Sequence, residues 1–164
     1  MAITVDVTIS GDIEAGDDEV PEPALLQSWA SASYLNHHVS NSNTENATAA
    51  DAIVSILISS QQEIQQLNKQ YRHKDKPTNV LSFPMQLPDE VDVQLLGDIA
   101  LCASVINEEA RQQSKTADEH WAHMVVHGML HLQGYDHMND EEAEEMESME
   151  IDILDTLGFG NPYE

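Results

Sequence analysis

The segment HMVVHGMLHLQGYDH, residues 123–137, holds four of the chain's eight histidines, and a fifth, His120, stands just before it. His123, His127 and His131 fall at i, i+4 and i+8, the spacing that puts side chains on one face of a helix. One ion cannot bind all three. At ~1.5 Å of rise per residue the outer two are about 12 Å apart along the axis, whereas a zinc–nitrogen bond is only about 2.0–2.1 Å long. Gly134 selects the pair. It stands three residues after His131, where a helix can end in a left-handed turn, and a reversal there would bring His137 back toward the ion. The pattern is H-x-x-x-H-x-x-G-x-x-H over His127, His131, Gly134 and His137. Three neutral imidazoles with an open fourth position make the donor set of a catalytic zinc site, not a structural one. One zinc ion is the expected cofactor, and another divalent metal would suit the same donors.

His120 and His123 remain outside this set. They read as packing residues or as hydrogen-bond partners behind the ligands. Gly128 implies that another backbone or a substrate comes close to the helix. The same spacing occurs in metzincin proteases as H-E-x-x-H-x-x-G-x-x-H, where the Glu deprotonates the metal's water. Here that position is Gly128, so peptide hydrolysis would lack its base, and a metalloprotease-like hydrolase is the weaker reading. The base for any hydrolysis is left open: an ion-activated water, a hydroxyl of the substrate itself as nucleophile, or a residue remote in sequence.

The formal net charge is −24, from 30 acidic and 6 basic residues. Taken alone, this argues against nucleic acid, which is bound mainly through Lys and Arg. The distribution changes that reading, because Lys69, Arg72, Lys74 and Lys76 lie within eight positions, while the acids crowd Asp12–Glu22 and Asp140–Asp155. An acidic body thus carries one short basic segment.

The elements that must position these groups follow from periodicity. Residues 3–9 alternate as a half-buried strand, and Pro23 to about His38 reads as a helix facing Leu25, Leu26, Trp29 and Tyr34 inward. Residues 52–59 read as a buried strand and 61–72 as a helix. In PTNVLSFP (77–84) two prolines bracket an extended piece, which marks an edge strand. Residues 95–102 read as a strand, and 104–113 and 117–133 as helices, the second apolar on nearly every side and therefore central. Asn139 with Glu142 is a capping-box pattern opening a last helix, with Met146, Met149, Ile153 and Leu157 inward and Gly158 after its end. No repeat or domain boundary is apparent. The fold class is α+β, one domain over 1–164, with helices behind the strands and a central buried helix that carries the candidate metal ligands.

The longest apolar run, near Ala52–Ile58, is far too short to span a bilayer, so no membrane partner is expected. The opening MAITVDVTIS has neither a basic nor an apolar signal region. The single cysteine, Cys102, permits no intrachain disulfide and suits a reducing, cytoplasmic location.

Two segments together resemble the YbeY family of bacterial endoribonucleases. HGMLHLQGYDH (127–137) is similar throughout to the family's H-G-x-L-H-L-x-G-Y-D-H, and LNKQYRHKDKPTNVLSFP (67–84) is similar to its L-N-x-x-Y-R-x-K-D-K-P-T-N-V-L-S-F-P. LLGDIALC (95–102) and DEEAEEME (140–147) extend the likeness to about residues 52–157. The resemblance implies an α+β fold with the metal helix beside a small mixed sheet. It implies metal-dependent cleavage of single-stranded RNA, serving 16S rRNA 3′-end maturation and ribosome quality control. The implied partners are rRNA and the small ribosomal subunit with its proteins, and DNA is not expected. By the same resemblance His127, His131 and His137 are the zinc ligands and Arg72 is the functional arginine, which makes Arg72 and His127 the catalytic candidates. A non-catalytic ribosome assembly factor remains an alternative and would need a filled fourth coordination position.

The chemistry is coherent with the charge map. Phosphodiester cleavage places extra negative charge on non-bridging oxygens, and a zinc ion polarises them and acidifies a bound water to a pKa of about 7. The Arg72 guanidinium offers a planar, bidentate phosphate clamp. Lys69, Lys74 and Lys76 would hold flanking phosphates without reading sequence. The acidic remainder would restrict binding to a strand threaded into one cleft or presented by a ribosomal partner. Phe83 is expected in the core, with base stacking as its other use. Asp136 either orients an imidazole or caps the turn. Tyr135 and Cys102 are expected to pack, and Asp98 to end a strand.

Overall fold

The computed structural model describes residues 3–10, 19–34, 52–85, 94–136 and 138–163. Its elements in chain order are β1 (Ile3–Ile9), α1 (Pro23–Ser33), β2 (Ala52–Ser59), α2 (Gln61–Arg72), β3 (Val80–Pro84), β4 (Gln94–Cys102), α3 (Ala103–Gln112), α4 (Ala117–Leu132) and α5 (Asp140–Thr156). The strands form one mixed sheet in the order β1-β2-β4-β3, with β1 and β4 parallel to β2 and β3 antiparallel to β4. This is the α+β architecture expected from the periodicities.

The strand alternation separates two faces. Ala52, Val54, Ile56 and Ile58 of β2, with Ile99 and Leu101 of β4, point to the main core, where they join Leu26 and Trp29 of α1 and Trp121, Val125 and Met129 of α4. The opposite face is narrower: Ile64 of α2 covers Leu81, Ala100 and Cys102. Cys102 is fully buried, as expected of an apolar residue. Among the described residues no element covers this face beyond α2, and Asp98 is exposed in the middle of β4 and does not end a strand.

Pro84 ends β3, and β4 is the only strand paired with it among the described residues, so PTNVLSFP does supply an edge. Helix α1 is shorter than its periodicity suggests. It stops at Ser33, Tyr34 is already extended, and the hydroxyl of Ser33 turns back to the Trp29 carbonyl at 2.8 Å. Such back-bonding competes with helix continuation. Residues 35–51 lie outside the described residues.

Candidate active site

Helix α4 begins at a side-chain N-cap. The Thr116 hydroxyl accepts from the Glu119 amide at 3.1 Å, and Asp118 and Glu119 complement the positive end of the helix dipole. Apolar residues on nearly every side drive it to the centre, between α1, α3, α5 and the β3/β4 end of the sheet. The helix closes as its glycine requires. Gly134 has φ +102°, its amide donates to the His131 carbonyl at 3.1 Å, and the Tyr135 amide donates to the Leu130 carbonyl at 3.1 Å. These are the two bonds of a Schellman turn, and Tyr135 packs against the core behind it.

Four imidazoles run along α4, with ring centroids 6.1 Å apart for His120–His123, 6.4 Å for His123–His127 and 4.6 Å for His127–His131. His120 and His123 are buried, whereas His127 and His131 are half-buried. The Nε2 atoms of His127 and His131 face each other at 3.1 Å. Two nitrogens that share a tetrahedral ion at about 2.0–2.1 Å lie roughly 3.3 Å apart, so this pair fits a common cation. His137 lies outside the described residues, and among those described no group of three His, Cys, Asp or Glu side chains gathers for a metal.

Behind the pair stands a residue that sequence reasoning missed. Glu150 of α5 is fully buried, with Oε1 2.5 Å from His127 Nδ1 and Oε2 3.3 Å from His123 Nε2. The Tyr163 hydroxyl also donates to Oε2. Burial would push the Glu150 carboxyl up, but the bonds from His123, His127 and Tyr163 hold it down at about 2. Burial first, and then Glu150, raises the Tyr163 hydroxyl, which keeps it a donor. A sequence signal for Glu150 existed: it lies at i+4 from Met146 and i−3 from Ile153, an acid in the middle of an inward apolar stripe.

His120 has a carboxylate of its own, with Nε2 3.0 Å from Glu109 Oε1, and Asn79 Nδ2 donates to the same oxygen at 3.1 Å. His120 and His123 therefore act as packing and hydrogen-bonding residues, as expected.

Gly128 answers the question of close approach. A Cβ there would lie 3.1 Å from Ile99 Cγ2 and 3.3 Å from Ser82 Oγ, so the sheet itself comes up against the helix. The position that bears the catalytic Glu of metzincins faces strands here. Glu150, the carboxylate near His127, contacts the Nδ1 edge and is already taken up by three donors, so it is not placed to serve as a general base.

Arg72 ends α2, where His73 adopts the left-handed conformation at φ 59° and turns the chain. Its Nη2 donates to the Ser82 carbonyl at 3.2 Å. In the β3–β4 ladder the Asn79 carbonyl and the Met85 amide point to β4, so by antiparallel alternation Ser82 turns its carbonyl to the open edge. Arg72 thus wraps that edge. Its described partner is a neutral carbonyl, whereas Arg111 is paired with Glu108 at 2.6 Å and Lys69 lies 3.9 Å from Asp75. Lys74 and Lys76 are exposed. Phe83 packs edge-on against Tyr71, ring centroids 5.1 Å apart, on the α2 face of the sheet.

Residues 22–158 match the family model described as endoribonuclease YbeY. The solution structure of TM1509 from Thermotoga maritima is similar in fold, with 26% identity and a TM-score of 0.53 over 94% of this chain and 92% of that one. Among the described residues no helix is long and apolar enough to cross a membrane. With most of its length matched, including the imidazole helix, the Arg72 turn and β3, this chain belongs to the endoribonuclease YbeY family.

Proposed function

We propose that the chain is a single-domain, zinc-dependent endoribonuclease specific for single-stranded RNA, acting in the cytoplasm on the 3′ end of 16S rRNA and in ribosome quality control. The observation that carries the metal part is the 3.1 Å approach of the His127 and His131 Nε2 atoms on one helix face. His127, His131 and His137 would hold the ion, with the small ribosomal subunit and its proteins presenting the RNA. When bound, the ion supplies Lewis-acid polarisation of phosphoryl oxygens and an acidified water.

The remaining work falls to the chain's own residues. Arg72 binds non-bridging oxygens through guanidinium donors that have no carboxylate partner among the described residues. Its anchor on Ser82 fixes the group beside the strand that packs on α4 at Gly128. Lys74 and Lys76 hold flanking phosphates. Elsewhere the acidic surface repels RNA that is not seated here.

The test is cleavage of an end-labelled single-stranded RNA by wild type, Arg72→Ala and His131→Ala, purified identically. Cutting by the wild type alone is expected. Equal cutting by all three would mean contamination and would remove the assignment. A zinc-loaded wild type that cuts nothing would favour an assembly-factor role.

A further inference from the structure

Glu150 occupies a position that an apolar residue would fill more cheaply. It has no solvent exposure, it sits among Met146, Ile153 and Leu154, and the other described acids of α5 face outward or to the rim. An unpaired carboxylate buried this way costs several kcal/mol. Three donors offset that cost here, and they are not equivalent. Among the described residues Oε1 takes His127, while Oε2 is shared by His123 and Tyr163.

An ionised carboxylate only accepts hydrogen bonds. Each nitrogen in contact with it must therefore be the protonated one. His127 carries its proton on Nδ1, which leaves a lone pair on Nε2, facing His131. His123 carries its proton on Nε2, which leaves Nδ1 bare. Among the described residues His123 Nδ1 is buried with no hydrogen-bond partner, as suits a nitrogen without a proton to place. One carboxylate thus sets two neighbouring imidazoles on the same helix face in opposite tautomers.

We infer that Glu150 is a positioning residue: it holds His127 in the Nδ1–H tautomer with the Nε2 lone pair turned toward His131, holds His123 in the other tautomer, and so selects the His127/His131 pair over the His123/His127 pair. This rests on the proposed metal role of His127. Tyr163 and His123 fix the carboxylate in turn. Tyr163 comes from the C-terminal turn, which Lys115 fastens to α4's N-terminal approach by donating to the Pro162 carbonyl at 2.9 Å.

The experiment uses the full chain, metal-free and nitrogen-15 labelled, with two readouts. Long-range proton–nitrogen spectra of the imidazoles report the tautomers, and competition with a chromogenic chelator reports zinc affinity. Unfolding midpoints are recorded beside them. In the wild type the expected forms are Nδ1–H for His127 and Nε2–H for His123. Glu150→Leu should abolish the His127 preference and weaken zinc binding about 10- to 100-fold. Glu150→Gln, which keeps one acceptor oxygen, should fall between. Tyr163→Phe removes a single hydroxyl from a half-exposed side chain and should weaken zinc binding a few fold in a folded protein. An Nε2–H tautomer for His127 in the wild type would overturn the inference. So would zinc affinities for Glu150→Leu and Tyr163→Phe within twofold of the wild type. A wild type that takes up no zinc would defeat the metal reading of His127, and the wild-type tautomers would still decide whether Glu150 orients the ring.

Discussion

The hydroxyl of Ser82 donates to the Gly128 carbonyl at 3.3 Å, across 46 positions of sequence. Through this contact the extended segment between two prolines and the histidine helix meet. The carbonyl of Ser82 receives Arg72 and its side chain touches the residue after His127, so one strand position links the phosphate-binding candidate to the metal-binding candidate.

Arg72 is exposed and makes one described side-chain bond, to a neutral carbonyl. Arg72→Ala should shift stability by no more than about 1 kcal/mol and lower RNA cleavage about 100-fold or more. Arg72→Lys keeps the charge but loses the planar fork and should restore only a small part. Urea unfolding and initial cleavage rates check both halves. An Arg72→Lys variant cutting at the wild-type rate would reduce the role of Arg72 to charge alone.

Restoring the protease-like pattern should not create a protease. In Gly128→Glu the new Cβ would press on Ile99 at 3.1 Å and the rest of the side chain would meet the sheet. Overpacking of this kind costs about 1–3 kcal/mol, and a buried, unpaired carboxylate adds more. The expected result is a markedly lower unfolding midpoint with no peptide cleavage. A stable variant that cuts a peptide substrate would show that position 128 does reach the site.

The order and type of the elements were legible because strand and helix periods in this chain seldom conflict. The alternating β1, the apolar β2 and the all-round apolar α4 each sit where their pattern demanded. The Schellman turn at Gly134 and the Asn139 cap, whose side chain accepts from the Glu142 amide at 2.8 Å, were legible from residue type and offset alone. The α1 terminus was not, because the two alanines and two serines after Trp29 (residues 30–33) carry no period that marks where a helix stops. Asp98 was misplaced for another reason: exposure in mid-strand depends on how far α2 reaches, a tertiary fact. Glu150 escaped because its partners lie 23 and 27 residues upstream, although an acid inside an apolar stripe was visible. His137, the third proposed ligand, lies outside the described residues, so its part in the site stands on the sequence pattern.

Gly97 is a second place where a side chain is excluded. It has φ +134°, and a Cβ would fall 2.2 Å from the Phe83 carbonyl oxygen, beside the point where the β2–β4 register shifts. Strain and clash act together, so Gly97→Ala should lose on the order of 3 kcal/mol or more. A denaturant midpoint close to wild type would contradict this geometry.

His120 should make stability depend on pH. Burial lowers its pKa below the ordinary imidazole value, Lys115 and His123 act in the same direction, and Glu109 opposes them. A histidine depressed in the folded state binds its proton more readily when unfolded, so its contribution is complete above about pH 6.5 and is lost as pH falls below it. Stability of the metal-free wild type should therefore drop between pH 7.5 and 5.5 more steeply than that of His120→Gln, which keeps a donor for Glu109. Parallel slopes in urea unfolding would refute the assignment.

The central claim, metal-dependent RNA cleavage at the His127/His131 pair, is tested most directly by removing and restoring the ion. The chain is stripped with a chelator, assayed on single-stranded RNA, and titrated with zinc while bound metal is counted. Cleavage should vanish on stripping and return at one zinc per chain, and His131→Ala should neither retain that zinc nor recover. Cleavage that survives complete stripping, or that returns in His131→Ala as in the wild type, would contradict it.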